Sequence, residues 1–96
     1  MTYRNKKLTD SARNESCVSC GNDDNTIVWA HSNHYKHGKG RGLKAHDLFG
    51  AYLCYQCHSD YDLKRLPISL NDDDEDWFVR MWERSMIVAC EKSYLK

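Results

Sequence analysis

The sequence predicts a small α+β domain built around a structural zinc site. Three observations lead there. Two Cys-x2-Cys pairs, Cys17/Cys20 and Cys54/Cys57, stand 33 residues apart. Two short segments rich in β-branched and aromatic residues lie between them, and two helical segments follow. The chain has 96 residues. A chain of that size buries only roughly 60–68% of its unfolded surface, so its apolar core alone is marginal and a metal staple suits it.

The elements follow in order. Residues 1–16 read as a polar arm, with a short helix over 9–14. Cys17-Val18-Ser19-Cys20 forms the first knuckle: two intervening residues let both thiolates turn toward one point, and Gly21 suits the turn that follows. Residues 26–30, Thr-Ile-Val-Trp-Ala, read as a first strand. His34 to Gly42 reads as a loop, and residues 49–54, Phe-Gly-Ala-Tyr-Leu-Cys, as the returning strand. The second knuckle then opens a helix over 55–65, stopped by Pro67. Knuckle, hairpin, knuckle and helix in that order make a treble-clef arrangement. A C-terminal amphipathic packing helix occupies 69–96, starting near Asn71. Asp72, Asp73, Asp74, Glu75 and Asp76 crowd its first turn, where acids suit the helix dipole. Trp77, Phe78, Met81, Trp82, Ser85, Met86 and Ala89 recur at helical spacing, a stripe for packing over the sheet. Cys90 ends an apolar run and reads as a small buried hydrophobe. The chain reads as one domain, 1–96, with knuckles and core over 17–66.

Two facing pairs of soft ligands are what tetrahedral zinc takes. A disulfide framework needs an oxidising compartment, and residues 1–16 are too polar for a secretory signal or a lipid anchor. A thioredoxin-like site needs one Cys-x-x-Cys in a βαβ setting, not two pairs. No apolar run reaches the roughly 18–20 residues of a membrane span, so a soluble, cytoplasmic protein is expected. Fourteen Lys+Arg balance fourteen Asp+Glu. That neutrality excludes a globally basic nucleic-acid binder but leaves room for a local basic site. Residues 1–47 hold eight Lys/Arg against five acids, and 48–96 hold six against nine. All five histidines fall within 28 residues, four of them between the two cysteine pairs and His58 directly after Cys57. The chemistry is therefore expected between 17 and 62.

His58 follows Cys57 directly, and Asp62 comes four residues later. Positions i and i+4 share a helix face, so His58 and Asp62 can converge on one divalent cation, Mg²⁺, Mn²⁺, Ni²⁺ or Zn²⁺. His31 ends the first strand and reaches the same point if the hairpin lies against the helix. A histidine beside a cation can act as general base for a water attacking a phosphodiester. Plainer readings stand beside these. His31 can be a structural histidine under the loop, His58 a cap or a zinc ligand, and Asp62 a solvated acid. His34, His37 and His46 read as loop surface or phosphate contacts. Lys36, Lys39, Arg41 and Lys44, interleaved with Gly38, Gly40 and Gly42, read as DNA-phosphate contacts, because glycine admits close backbone approach and the cations neutralise phosphate.

Cys-x2-Cys, a strand ending Ala30-His31, then Asp47-Leu48, then Leu53-Cys54-x2-Cys57-His58, resembles the HNH endonucleases of the ββα-metal type. Residues 38–48, Gly-Lys-Gly-Arg-Gly-Leu-Lys-Ala-His-Asp-Leu, are similar to the short HNH nucleases carried by lambdoid phages and prophages. The resemblance covers Cys17 to Asp62, roughly half of the chain. By position it implies His31 as general base and Asp47, where the family's central Asn usually sits, as the residue that orients it. It also implies His58 and Asp62 as ligands of a catalytic divalent ion, beside structural zinc on Cys17, Cys20, Cys54 and Cys57. Ala30 departs from the family, which often has Asp or His there as a further ligand; that leaves His58 and Asp62, unless His34 or His46 joins them.

The expected function is a metal-dependent DNA endonuclease, a hydrolase of phosphodiester bonds, in a bacterial cytoplasm. DNA is the expected partner, with phage or host recombination proteins beside it and no membrane. The alternative is a non-catalytic zinc-binding module that binds nucleic acid or a protein. A redox-responsive zinc switch is a third reading.

Overall fold

A computed structural model of the chain describes residues 4–33, 46–66, 73–92 and 94. The expected loop residues His34, Lys36, His37, Lys39, Arg41 and Lys44, together with Pro67, Asn71 and Asp72, lie outside the described residues. The fold is α+β. In chain order it comprises α1 (Lys6–Asp10), a 3₁₀ turn (Ser11–Asn14), β1 (Val28–His31), β2 (Gly50–Leu53), α2 (Tyr55–Asp62) and α3 (Asp74–Glu91). None of the described helices is long and apolar enough to cross a membrane.

The strands pair antiparallel, with Val28 opposite Leu53, Trp29 opposite Tyr52, Ala30 opposite Ala51 and His31 opposite Gly50. β1 starts two residues later than its composition predicts, because Asp24 and Thr26 are spent in a local turn: the Thr26 N–H donates to Asp24 Oδ1 at 3.1 Å. Every residue of β2 is buried. It lies beneath α3, while α1 and the 3₁₀ turn pack on β1. The outward backbone groups of Tyr52 are satisfied by other elements. Its carbonyl accepts the Val18 N–H of the first knuckle at 2.9 Å. Its N–H donates to Ser85 Oγ on α3 at 3.1 Å.

α3 carries the expected stripe: Trp77, Phe78, Met81, Ser85 and Ala89 are its buried residues. Tyr61 of α2 stacks on Phe78 with ring centroids 4.7 Å apart. The acids at its start behave as expected: the Asp73 carboxylate caps the helix by accepting the Asp76 N–H at 2.7 Å, with Asp74, Glu75 and Asp76 in the first turn. Cys90 does not follow expectation. It is exposed, because it sits one residue, about 100°, past Ala89 on the stripe.

Three boundaries also differ. α2 ends at Asp62, not residue 65. Lys64 takes a left-handed conformation (φ 58°). The Arg65 and Lys64 N–H groups turn back onto the Asp60 and Tyr61 carbonyls at 2.7 and 3.3 Å. That pair of bonds is a Schellman stop with lysine in place of the usual glycine. α3 starts at Asp74, where its cap lies, rather than near 71. The N-terminal helical segment starts at Lys6 rather than residue 9, because the Asn5 side chain caps it by accepting the Leu8 N–H at 3.1 Å, and the 3₁₀ turn carries it to Asn14. The segment is more than a polar arm: Leu8, Ser11 and Ala12 are buried, and the Ser11 and Tyr52 hydroxyls share a hydrogen bond of 2.7 Å.

Candidate metal centre and histidine cleft

The two knuckles meet. In the first, the Cys17 N–H donates to the Asn22 carbonyl at 2.8 Å and the Gly21 N–H to the Cys17 carbonyl at 2.9 Å. Gly21 has φ +80°, with open space where a Cβ would stand; the turn asks for glycine because of its backbone, not for room. In the second, Cys54 caps α2, its sulfur accepting the Cys57 N–H at 3.5 Å. The sulfurs of Cys17, Cys20, Cys54 and Cys57 all lie within 4.8 Å of one another. Cys20 Sγ and Cys54 Sγ are 3.7 Å apart, and all the cysteines are free thiols. Zinc–thiolate bonds of about 2.3 Å in a tetrahedron give sulfur–sulfur edges of about 3.8 Å. The four residues therefore fit a metal ion such as structural zinc. Burial, with the crowding of the other three sulfurs, pushes the Cys57 thiol well above the ordinary thiol range. A bound cation reverses that preference by stabilising thiolates. Among the described residues no other group of three or more His, Cys, Asp or Glu side chains converges in this way.

A second constellation lies along β1 and α2. Thr9, Val28, Trp29, His31, Ser32, Asn33, His58 and Asp62 line an open cleft of about 470 Å³. His31 projects from the end of β1 and is partly exposed, its side chain 19% accessible. Its Nε2 lies 2.7 Å from Asp47 Oδ1. Asp47 is ionised in this setting: burial pushes its carboxyl up, but the His31 hydrogen bond, the Asn5 N–H and the charges of His31 and Arg4 outweigh that and hold it below the usual carboxylate range. An ionised carboxylate only accepts, so Nε2 is the ring nitrogen that donates to it.

Asp47 is itself heavily fixed. Its backbone carbonyl accepts the Trp29 indole N–H at 2.8 Å. Its Oδ2 accepts the Asn5 N–H at 2.5 Å, and Arg4 Nη1 lies 3.2 Å from Oδ1. Trp29 reaches the carbonyl by lying flat over Gly50, where a Cβ would come within 2.3 Å of the indole nitrogen.

On α2, His58 Nε2 and Asp62 Oδ2 are 3.1 Å apart. Asp62 Oδ1 accepts the Asn33 side-chain amide at 3.0 Å. The Asn33 N–H donates to the Tyr61 hydroxyl at 2.8 Å, so the residue just past β1 ties that strand to α2. Burial pushes the Tyr61 phenol far above its ordinary value, with Glu75 adding to the rise.

His31, Asp47, His58 and Asp62, all singled out from the sequence, thus fall into two pairs, His31 hydrogen-bonded to Asp47 and His58 beside Asp62, with His31, His58 and Asp62 lining one cleft. His46 is half-buried beside Asp47 and does not line the cleft. Ala30 does not line it either; it is 1% exposed and pairs with the fully buried Ala51 of β2. The sequence reading missed Arg4, Asn5, Trp29, Asn33 and Gly50. Only Gly50 left a signal, a glycine inside a strand, which marks close approach of another group.

No family model, no curated protein and no solved structure matches this chain.

Proposed function

We propose that the protein is a small zinc-stapled, metal-dependent endonuclease of the HNH type, with the two knuckles, hairpin and α2 forming a treble-clef core. The observation that carries the reading is the cleft: a histidine oriented by a buried carboxylate faces a His–carboxylate pair across one opening. Cys17, Cys20, Cys54 and Cys57 hold the structural zinc. His58 and Asp62 are the candidate ligands for a catalytic divalent ion. Their N···O separation of 3.1 Å is close to the edge of about 3.0 Å between neighbouring ligands at an octahedral ion with bonds of about 2.1 Å. When bound, such a cation supplies charge stabilisation to the phosphate and to the leaving 3′ oxygen. His31 takes a proton from water through Nδ1, and Asp47 holds the ring by Nε2. Asn33 keeps Asp62 turned toward His58. Lys36, Lys39, Arg41 and Lys44 supply phosphate contacts from the glycine-rich segment.

A non-catalytic zinc module that binds nucleic acid or protein is the second reading. It is favoured by the cation pair offering only two protein ligands among the described residues. One experiment separates them. Wild type, His31→Ala and His58→Ala are incubated with linear, supercoiled and branched DNA in Mg²⁺, Mn²⁺, Ni²⁺ and Zn²⁺. His31→Ala should lose about 10²–10⁴-fold in rate while keeping zinc and divalent-ion binding, because a general base is not a ligand. His58→Ala should weaken the second ion as well as stop cleavage. A wild type that never exceeds His31→Ala leaves the binding module as the function.

A further inference from the structure

Asp62 stands between two openings. Its side chain is 45% accessible, and it lines both the histidine cleft and a second opening beside Tyr61, Lys64, Asp74 and Glu75. An aspartate so exposed can turn either way unless something holds it. The Asn33 side-chain amide does so, donating to Asp62 Oδ1 at 3.0 Å. That leaves Oδ2 as the oxygen 3.1 Å from His58 Nε2. Asn33 is fixed in turn through its backbone, whose N–H donates to the Tyr61 hydroxyl at 2.8 Å. Tyr61 is 1% exposed and stacks on Phe78 and Trp77. Its hydroxyl donates onward to the Glu75 carboxylate, at 3.3 Å from each oxygen. The amide therefore hangs from a rigid point, although the Asp62 it holds is at the surface.

We propose that Asn33 is a positioning residue that selects the cation: by holding Oδ1 it makes Asp62 a one-oxygen ligand, suited to Mn²⁺ or Mg²⁺ and not to Ca²⁺. The inference rests on the reading of His58 and Asp62 as cation ligands. Ca²⁺ takes about six to eight oxygens in a flexible shell and accepts both oxygens of one carboxylate. Mg²⁺ and Mn²⁺ favour octahedral shells, where a carboxylate gives a single oxygen. Presenting both Asp62 oxygens to an ion beside His58 would mean turning Oδ1 away from the amide. The His58 nitrogen works in the same direction, because Ca²⁺ seeks oxygen. Asn33 lies 29 positions before Asp62 and two after His31, so the strand that carries the proposed base also sets which ion α2 accepts.

The test is calorimetric titration of the full-length, zinc-loaded protein with MnCl₂ and with CaCl₂ at one pH, read as the ratio of the two dissociation constants. Wild type should prefer Mn²⁺, and His58→Ala should lose that binding. Asn33→Ala should lower the preference by about three- to tenfold, less than the roughly 10–100-fold typical of groups that orient a metal ligand, because this bond is exposed. The substitution keeps the backbone N–H that bonds Tyr61, so zinc content and circular dichroism should not change. Asn33→Leu keeps the size of the side chain without its donor and should match Asn33→Ala. Asn33→Gln keeps the donor and should keep part of the preference. An unchanged ratio in Asn33→Ala and Asn33→Leu overturns the inference. So does a wild type that binds neither ion, or whose binding survives His58→Ala. No DNA is needed for these measurements. A wild type that binds Mn²⁺ as expected and cleaves no DNA removes the nuclease reading and leaves the role of Asn33 standing. A wild type that cleaves DNA while the ratio ignores Asn33 does the reverse.

Discussion

Adding one methyl group at Gly50 should disrupt the hairpin and the Asp47 support together. A Cβ at that position would stand 2.3 Å from Trp29 Nε1, 2.4 Å from Cε2 and 2.9 Å from Cδ1. All three atoms belong to a rigid indole. Trp29 is 6% exposed and packs edge-on against Tyr52 at 4.9 Å, so it cannot swing away without opening the core. Two costs follow. Overpacking of a filled core is worth about 1–3 kcal/mol. Displacing the indole from the Asp47 carbonyl, a 2.8 Å bond, adds about 1 kcal/mol. Gly50→Ala should therefore destabilise by about 2–4 kcal/mol, a fall in Tm of roughly 10 °C or more for a domain of this size. Thermal and urea unfolding of the zinc-loaded protein measure it. Trp29→Leu, which removes the clashing ring, should be costly by itself. The double variant should cost clearly less than the sum of the two, because the pair share one space. A Gly50→Ala protein within about 0.5 kcal/mol of wild type, or strict additivity, would refute the packing argument.

Purified, reduced protein should contain about one tightly held zinc per chain, and Cys54→Ala should lose it and unfold, since a closed four-thiolate site contributes about 10–16 kcal/mol of apparent folding energy; a folded, metal-free protein rejects the site. The Asp47 carboxyl lies below its unfolded value in the folded state, so its contribution to stability is complete above about pH 4–5 and is lost as pH falls through the folded value. Asp47→Asn should remove that component, and the wild type minus variant difference in unfolding free energy, measured against pH, should shrink on acidification. Ala30→Asp should cost about 3 kcal/mol or more, because Ala30 is 1% exposed and faces Ala51, itself fully buried; improved divalent-ion binding in that variant would contradict the strand orientation. Cys90→Ser, on the exposed side of α3, should stay within about 0.5 kcal/mol of wild type.

What was legible in the chain was local. The knuckles are defined by two-residue spacings, and the His58–Asp62 pair by one helical turn, so both could be read before any fold was known. The stripe of α3 could be read too, but not its phase at the end. Met86 to Cys90 is apolar throughout, so composition could not say that Ile87 and Cys90 face outward while Ala89 faces in. The support of Asp47 was beyond reach for a different reason. Arg4 and Asn5 lie 43 and 42 positions away from it, and no periodicity links a polar N-terminal segment to a turn before β2. Ala30 shows the hazard of matching positions without a strand face. Sequence order sets it beside His31, while packing against the buried Ala51 closes it off from solvent.

The first knuckle does more than bring Cys17 and Cys20 toward the second pair. Val18, between its two cysteines, donates to the Tyr52 carbonyl on the outer side of β2. Its own carbonyl accepts Arg84 of α3 at 3.0 Å. The knuckle is thus a lid on the open flank of a two-stranded sheet, the flank on which another extended chain would otherwise grow. Displacing that turn would leave the Tyr52 carbonyl of β2 open to another extended chain.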